Sequence, residues 1–334
     1  METALLSVET QDPLDPAVVR AVALLATGQA VALPTETVYG LAADALKPKA
    51  VMKIFEAKER PFFDPLIVHL PTRDWLERIT EIPLESHALV AALIERFWPG
   101  PLTLVLPRSP IVPDIVTAGL ETVAVRMSAH PVFRAVSELF AGPLAAPSAN
   151  RFGRISPTTA AHVRSELDGR IPLILDGGPT QHGLESTIVA VTGEGVRVLR
   201  AGPITADDLA AAGGTVLPPV ATAATRPEAP GQLVSHYAPR TRMILLEPGA
   251  HFSAADSRTG LLAWKAAPEG LDGAHCEVLS ASGDLREAAA SLFAKLRRLD
   301  EAGLALILAE PVPEHGLGIA IMDRLRKAAH PNTF

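Results

Sequence analysis

Ser186-Thr187-Ile188-Val189-Ala190-Val191 is followed by Thr192-Gly193-Glu194-Gly195 and then by Val196-Arg197-Val198-Leu199. Two runs rich in β-branched residues flank a short polar connection that contains glycine, which is the pattern of a β-hairpin. At least one strand pair is therefore antiparallel. Around this hairpin, from Pro16 to about Gly213, apolar helical and strand patterns alternate. That alternation predicts an α/β domain, and the hairpin makes its sheet mixed instead of purely parallel.

Working outward, Val18, Leu24 and Leu25 mark an amphipathic helix, and Gln29 to Leu33 reads as a buried strand broken by Pro34. Pro48 to Lys58 is helical, with Val51, Ile54 and Phe55 on one face, and Pro61 stops it. Pro65 to Leu70 reads as a strand. His87 to Trp98 is a second helix, ended by Pro99-Gly100-Pro101. Leu102 to Leu106, Thr122 to Met127 and Pro172 to Leu175 are strand-like, and Pro131 to Phe140 is helical.

Residues 214 to 235 change character, with Ala, Thr and Pro dominating from Pro218-Pro219 to Pro230-Gly231, and read as an extended linker. The alternation then resumes. Met243 to Leu246, Gly260 to Trp264, Cys276 to Leu279 and Leu304 to Leu308 are strand-like. Leu285 to Ala302 is an amphipathic helix with Leu292, Lys295 and Leu299 in register, and Ile319 to Ala329 is a closing helix. The organisation is a first domain over 1–213, a linker over 214–239 and a smaller α/β domain over 240–334.

Composition narrows the functional classes. Hydrophobic residues make up 48% of 334, which excludes global disorder. A net charge of -7 argues against a chain-wide coat for nucleic acid, and 4% aromatics against stacked-base platforms. The single cysteine, Cys276, excludes an internal disulfide and Cys-rich metal sites, and reads as a small buried apolar residue. The longest apolar stretch, Ala21 to Leu33, is interrupted by Gly28-Gln29 and is too short for a bilayer. The N-terminus lacks a basic leader, so a soluble cytoplasmic protein is the expectation.

No phosphate-binding glycine-lysine loop, zinc-binding helix or nucleophile elbow is present. Gly316-Leu317-Gly318 is half a dinucleotide fingerprint and reads as an ordinary turn. What remains is a set of polar clusters at element ends. Pro34-Thr35-Glu36-Thr37-Val38-Tyr39-Gly40 follows a buried strand and suits either a small polar ligand or a hydrogen-bonded turn. Lys58-Glu59-Arg60-Pro61 closes a helix, as a cap or as a phosphate clamp. His69 ends the next strand. Arg126, inside an apolar strand, requires a buried ion pair or a carboxylate ligand. Ser156 and Pro157 suit the N-cap and first position of a helix running to Leu167, an anion site or merely a cap. Asp176-Gly177-Gly178-Pro179 and Gly183-Leu184-Glu185-Ser186-Thr187 form a further polar junction, and Arg200 ends the last strand before Gly202. Lys58, Arg60, Arg126 and Arg200, with many hydroxyls, fit an anionic nucleotide beside a small polar substrate.

The stretches PTETVYGLAADA, KERPFFDPLIVHL, FWPGPLTLVL, VAVRM, APSANRFGRISPT, DGGPTQHGLESTIV and VLRAGPI, in this order, resemble the long form of the L-threonylcarbamoyladenylate synthase family. GQLVSHYAP and GLGIAIMDRLRKAA resemble that family's linker and accessory domain. The resemblance implies a YrdC-like twisted mixed sheet with flanking helices and a smaller C-terminal Rossmann-like α/β domain. It implies that L-threonine, bicarbonate and ATP become L-threonylcarbamoyl-AMP and pyrophosphate, for modification of the tRNA adenosine next to the anticodon. Thr37, His69, Arg126, Ala146 (through its backbone) and Ser186 would hold L-threonine. Arg60, Asp64, Thr122, Ser148, Ser156 and Arg200 would hold ATP, with Lys58 and Arg60 as the catalytic pair. His236 and Tyr237 would fold with the linker over the site and contact ATP. Mg²⁺ would accompany ATP, with no protein ligand set evident. Glu59 stands where the family commonly has Gly. Asp64 stands where it usually has Asn, and would either bind Mg²⁺ or pair with Arg60.

The product would pass to a tRNA threonylcarbamoyl transferase complex, with no membrane association and no stable direct tRNA binding. Two other readings share the fold. An RNA-binding module would show salt-sensitive affinity without ATP, and the acidic balance argues against it. A carbamoyl transferase of the hydrogenase-maturation type would need acylphosphatase-like and zinc-finger regions that the chain lacks.

Overall fold

The protein is described from a computed structural model covering residues 2–8, 12, 14–218, 227–233, 235–250, 258–268 and 275–330. The strands in chain order are β1 (Ala4–Ser7), β2 (Val31–Leu33), β3 (Gly40–Asp44), β4 (Ile67–His69), β5 (Leu102–Pro107), β6 (Thr122–Arg126), β7 (Leu144–Ala145), β8 (Leu173–Asp176), β9 (Thr187–Thr192), β10 (Gly195–Arg200) and β11 (Val216–Leu217). They form one sheet in the order β1-β8-β2-β3-β7-β4-β6-β5-β9-β10-β11. Parallel pairs such as β4–β6 and β5–β9 alternate with antiparallel ones such as β2–β3 and β5–β6. The hairpin read from the sequence is β9–β10, with Val191 opposite Val196 and a register irregularity between Val198 and Arg200.

The helices of this domain are α1 (Pro16–Ala26), α2 (Pro48–Lys58), α3 (Trp75–Ile79), α4 (His87–Phe97), α5 (Asp114–Thr117), α6 (Pro131–Phe140), α7 (Ala160–Leu167) and α8 (Ala206–Ala211). Helix α2 shows how sequence places function. Pro48 occupies its first turn, where a missing N–H costs nothing. Ala50, Val51, Ile54 and Phe55 recur at helical spacing and bury against the sheet. Full burial of each large apolar side chain contributes about 1.5–3 kcal/mol. The helix stops at Glu59, whose φ of 55° is left-handed, a conformation that glycine adopts more easily. That turn presents Lys58 and Arg60 to the sheet.

Three short strands escape the sequence patterns. β3 is buried at every position and built largely of small residues, so it shows no alternation. β7 has two residues, and β1 lies in the N-terminal segment ahead of the first helical pattern. One boundary is corrected: the N-cap of α7 is Thr159, whose hydroxyl accepts from the His162 N–H, and Ser156 is engaged elsewhere.

Of the linker, residues 219–226 and 234 lie outside the described residues, and Val216–Leu217 pair with β10 as β11. Beyond it, β12 (Arg242–Leu245), β13 (Thr259–Ala263), β14 (Cys276–Val278) and β15 (Leu306–Ala309) form a second, all-parallel sheet in the order β12-β15-β13-β14. Helices α9 (Leu285–Glu301) and α10 (Leu317–Ala329) complete this domain. Leu292, Phe293, Leu296 and Leu299 of α9 share one core with Val38, Ile155, Leu184 and Tyr237 from the first domain and linker. The two domains are thus packed through apolar residues next to the polar clusters. Cys276 is buried, as expected of a small apolar residue. At Gly318 an added Cβ would lie 1.8 Å from the Pro313 carbonyl oxygen, so that glycine serves backbone packing. No described helix is long and apolar enough to cross a membrane.

Candidate active site

The carboxyl ends of β4, β6 and β10, the loop after β2, the segment before β9 and the linker converge on one cleft. Such a position, outside the carboxyl ends of strands where the connectivity changes, is where α/β sheets bind ligands. Thr37, Arg60, His69, Arg126, Ala146, Ser148, Ser186, Arg200, His236 and Tyr237 all line it. The guanidiniums of Arg60, Arg126 and Arg200 therefore share one cavity although they come from distant segments.

The parallel β4–β6 register sets His69 beside Arg126. Arg126 is held from three sides. Its Nε donates to the Gly100 carbonyl at 3.1 Å, Nη1 to the Thr37 hydroxyl at 3.0 Å, and Nη2 lies 2.7 Å from Glu36 Oε1. The alternative left open by the sequence thus resolves as a buried ion pair. Nη2 is buried against Glu36, and Nη1 keeps one N–H beyond the one given to Thr37. Burial alone would raise the Glu36 carboxyl, but Arg126 and the Ser128 hydroxyl hold it down at about 2. Burial and Arg126 push His69 down to about 3, so its imidazole is neutral, packed 4.7 Å from the Phe133 ring. The Ala146 N–H is taken by the Ile67 carbonyl, which leaves its own carbonyl as the backbone group available to a ligand.

Arg60 follows the left-handed turn at Glu59. Its Nε donates to the Asp64 carbonyl at 3.2 Å, Nη2 donates to the Pro65 carbonyl at 2.8 Å, and Nη2 lies 2.8 Å from Asp64 Oδ2. Asp64 thus pairs with Arg60, one of the two roles expected for it. Burial raises the Asp64 carboxyl, opposed by Arg60, Lys58 and Arg200. Lys58 sits behind the lining, its ammonium donating to the carbonyls of Ser148 and Asn150. It therefore pins the loop that carries Ser148, and burial and Arg60 push its pKa well down.

Arg200 donates to the Ser186 carbonyl from Nε at 3.1 Å and from Nη2 at 2.9 Å, and to the Ser186 hydroxyl at 3.1 Å. The Ser186 hydroxyl also meets that of Thr103 at 2.8 Å. Ser156 is buried behind the cleft and donates to Glu185. Thr122 stands apart at the opposite end of β6, roughly 13 Å from Arg126 by strand rise. From the linker, Tyr237 stacks on Phe293 at 5.6 Å and meets His236 at 4.1 Å. A Cβ at Gly231 would come within 2.5 Å of the Tyr237 hydroxyl, so glycine lets the linker close there.

Sequence reasoning did not assign Glu36, Glu185, Thr103 or Asn150. Glu36 and Glu185 were visible as carboxylates within the polar clusters, yet their partners lie far away in the chain. Among the described residues no three His, Cys, Asp or Glu side chains gather as a metal-ligand set. The carboxylates near the cleft are already engaged by Arg126, Arg60 and Arg324, so they do not fit a resident metal.

A family profile described as telomere recombination, covering Sua5, YciO and YrdC, matches residues 23–202. A second, described as threonylcarbamoyl-AMP synthase, C-terminal domain, matches residues 204–330. Threonylcarbamoyl-AMP synthase of Pyrococcus abyssi is 42% identical over 318 residues, covering 90% of this chain and 91% of that protein. The Bacillus subtilis protein of the same name is 40% identical over 343 residues, covering 98% of each. The crystal structure of P. abyssi Sua5 complexed with L-threonine superposes with a TM-score of 0.86 at 38% identity, over 98% of both chains. The fold is thus YrdC-like with an accessory α/β domain, and the chain belongs to the threonylcarbamoyl-AMP synthase family.

Proposed function

We propose that this chain condenses L-threonine, bicarbonate and ATP into L-threonylcarbamoyl-AMP, with release of pyrophosphate and water. The observation that carries this reading is the convergence of Arg60, Arg126 and Arg200 on one cleft with Thr37, His69 and Ser186. The Arg126 fork suits the threonine carboxylate, and Thr37 or Ser186 suits its hydroxyl. A site that hydrogen-bonds that hydroxyl rejects analogues lacking it. Arg60 and Arg200 suit the phosphates.

In the reaction, the threonine amine attacks CO₂ derived from bicarbonate and loses a proton to give a carbamate. A carbamate oxygen then attacks the α-phosphorus of ATP, a P–O bond forms, and the bond to pyrophosphate breaks. The enzyme is thus a nucleotidyltransferase, and positioning and charge neutralisation account for its catalysis. Arg60, with Lys58 holding the neighbouring loop, would stabilise the charge that develops on the phosphates. Magnesium would enter with ATP as part of the substrate. The linker, through His236 and Tyr237, would exclude water from a hydrolysable mixed anhydride. The product would serve a tRNA threonylcarbamoyl transferase complex in the cytoplasm.

The test is pyrophosphate release from ATP. It should require both L-threonine and bicarbonate and collapse in Arg60→Ala. Equal release without threonine rejects the reading.

A further inference from the structure

A carboxylate lines this cleft for anions. Glu185 is 5% exposed and faces the same cavity as Arg60, Arg126 and Arg200. One of its oxygens accepts from the Ser156 hydroxyl, and the other accepts from Arg324 Nε at 2.9 Å. Arg324 belongs to α10, 139 residues further along the chain, and is 1% exposed. The same guanidinium donates from Nη2 to the Ala201 carbonyl at 3.0 Å and from Nη1 to Asp323 at 2.6 Å. It also lies 5.0 Å from the centre of the Tyr237 ring. One side chain of the accessory domain thus engages the Glu185 carboxylate, the backbone just after Arg200 and the linker tyrosine.

We infer that Arg324 is a positioning residue that neutralises Glu185 in the wall of the nucleotide site, so that the accessory domain sets ATP affinity without touching ATP. This rests on the ATP site proposed above. An anion pocket tolerates a carboxylate only if its charge is compensated, because like charges repel strongly where water is excluded. Burial disfavours the ionised form of Glu185, yet Arg324 and then Arg200 keep its carboxyl below the usual range. Arg200 faces the cleft and is the cation a phosphate would also use. Arg324 does not line the cleft, and it gives N–H groups to Glu185, Ala201 and Asp323.

The experiment compares wild type with Arg324→Met, Glu185→Gln and the double variant. ATP Kd is measured by calorimetry, and KM for both substrates by pyrophosphate release. Arg324→Met should weaken ATP about tenfold or more and change the threonine KM less than about threefold. Adding Glu185→Gln should restore ATP affinity to within about threefold of wild type, because the amide oxygen still accepts from Ser156 and carries no charge. A double variant that binds ATP no better than Arg324→Met overturns the inference, as does an equal rise in KM for both substrates. Should Arg324→Met not fold, Arg324→Lys keeps the charge. ATP affinity within about threefold of wild type then supports the inference, and a loss of about tenfold overturns it. Calorimetry needs no turnover, so a wild type that binds ATP but releases no pyrophosphate sinks the proposed reaction and leaves this comparison intact.

Discussion

Glu36 and Arg126 meet at 2.7 Å with both side chains almost wholly buried, one from the loop after β2 and the other from the end of β6. The pair aims the guanidinium. Removing the arginine strands a buried carboxylate. Arg126→Met should destabilise the protein by about 3–5 kcal/mol in urea denaturation. It should also raise the threonine KM about tenfold or more. A threonine KM that stays at the wild-type value would remove Arg126 from the amino-acid site.

Acid should weaken the fold in two stages. His69 falls from 6.5 to about 3 and His162 from 6.5 to about 4. In both cases the unfolded chain binds the proton first. The stability is therefore complete above pH 6.5 and is lost as pH drops toward those lower values. Glu36, lowered from 4.5 to about 2, adds a second loss that begins only below pH 4.5. Urea midpoints between pH 7.5 and 5 should therefore decline, and His69→Phe should flatten that slope. A slope unchanged in His69→Phe would mean that the imidazole is not held neutral.

Asp64 pairs with Arg60 at 2.8 Å inside a site proposed for phosphates. Asp64→Asn keeps an acceptor for the guanidinium and deletes a repelling charge. ATP KM should fall by about two- to fivefold, while stability drops by about 3 kcal/mol because buried Arg60 loses its counter-charge. A higher ATP KM would show that the carboxylate itself serves the nucleotide.

The Tyr237 hydroxyl is buried without a hydrogen-bond partner among the described residues, although its ring packs on Phe293. Tyr237→Phe should leave stability within about 1 kcal/mol and raise ATP KM severalfold, because the hydroxyl has no partner among the described residues and belongs to a residue that lines the cleft. Tyr237→Ala should cost about 3–5 kcal/mol through lost packing. A stability loss in Tyr237→Phe as large as in Tyr237→Ala would contradict this division.

The hairpin β9–β10, the mixed α/β class, the helix that leads into Lys58 and Arg60, and the polar clusters that form the cleft wall are all legible in the amino-acid sequence. Those features are local: periodicity, turn chemistry and proline stops act over a few residues. Short buried strands such as β3 and β7 carry no periodicity and appeared only in the folded chain. The charge partners were likewise decided by tertiary structure. Glu36 meets Arg126, and Glu185 meets Arg324, because strand order and domain packing bring distant segments within hydrogen-bond reach. A buried charge announces that it needs a partner, but nothing in its neighbouring residues says which one, since that choice depends on register and on how the two domains pack.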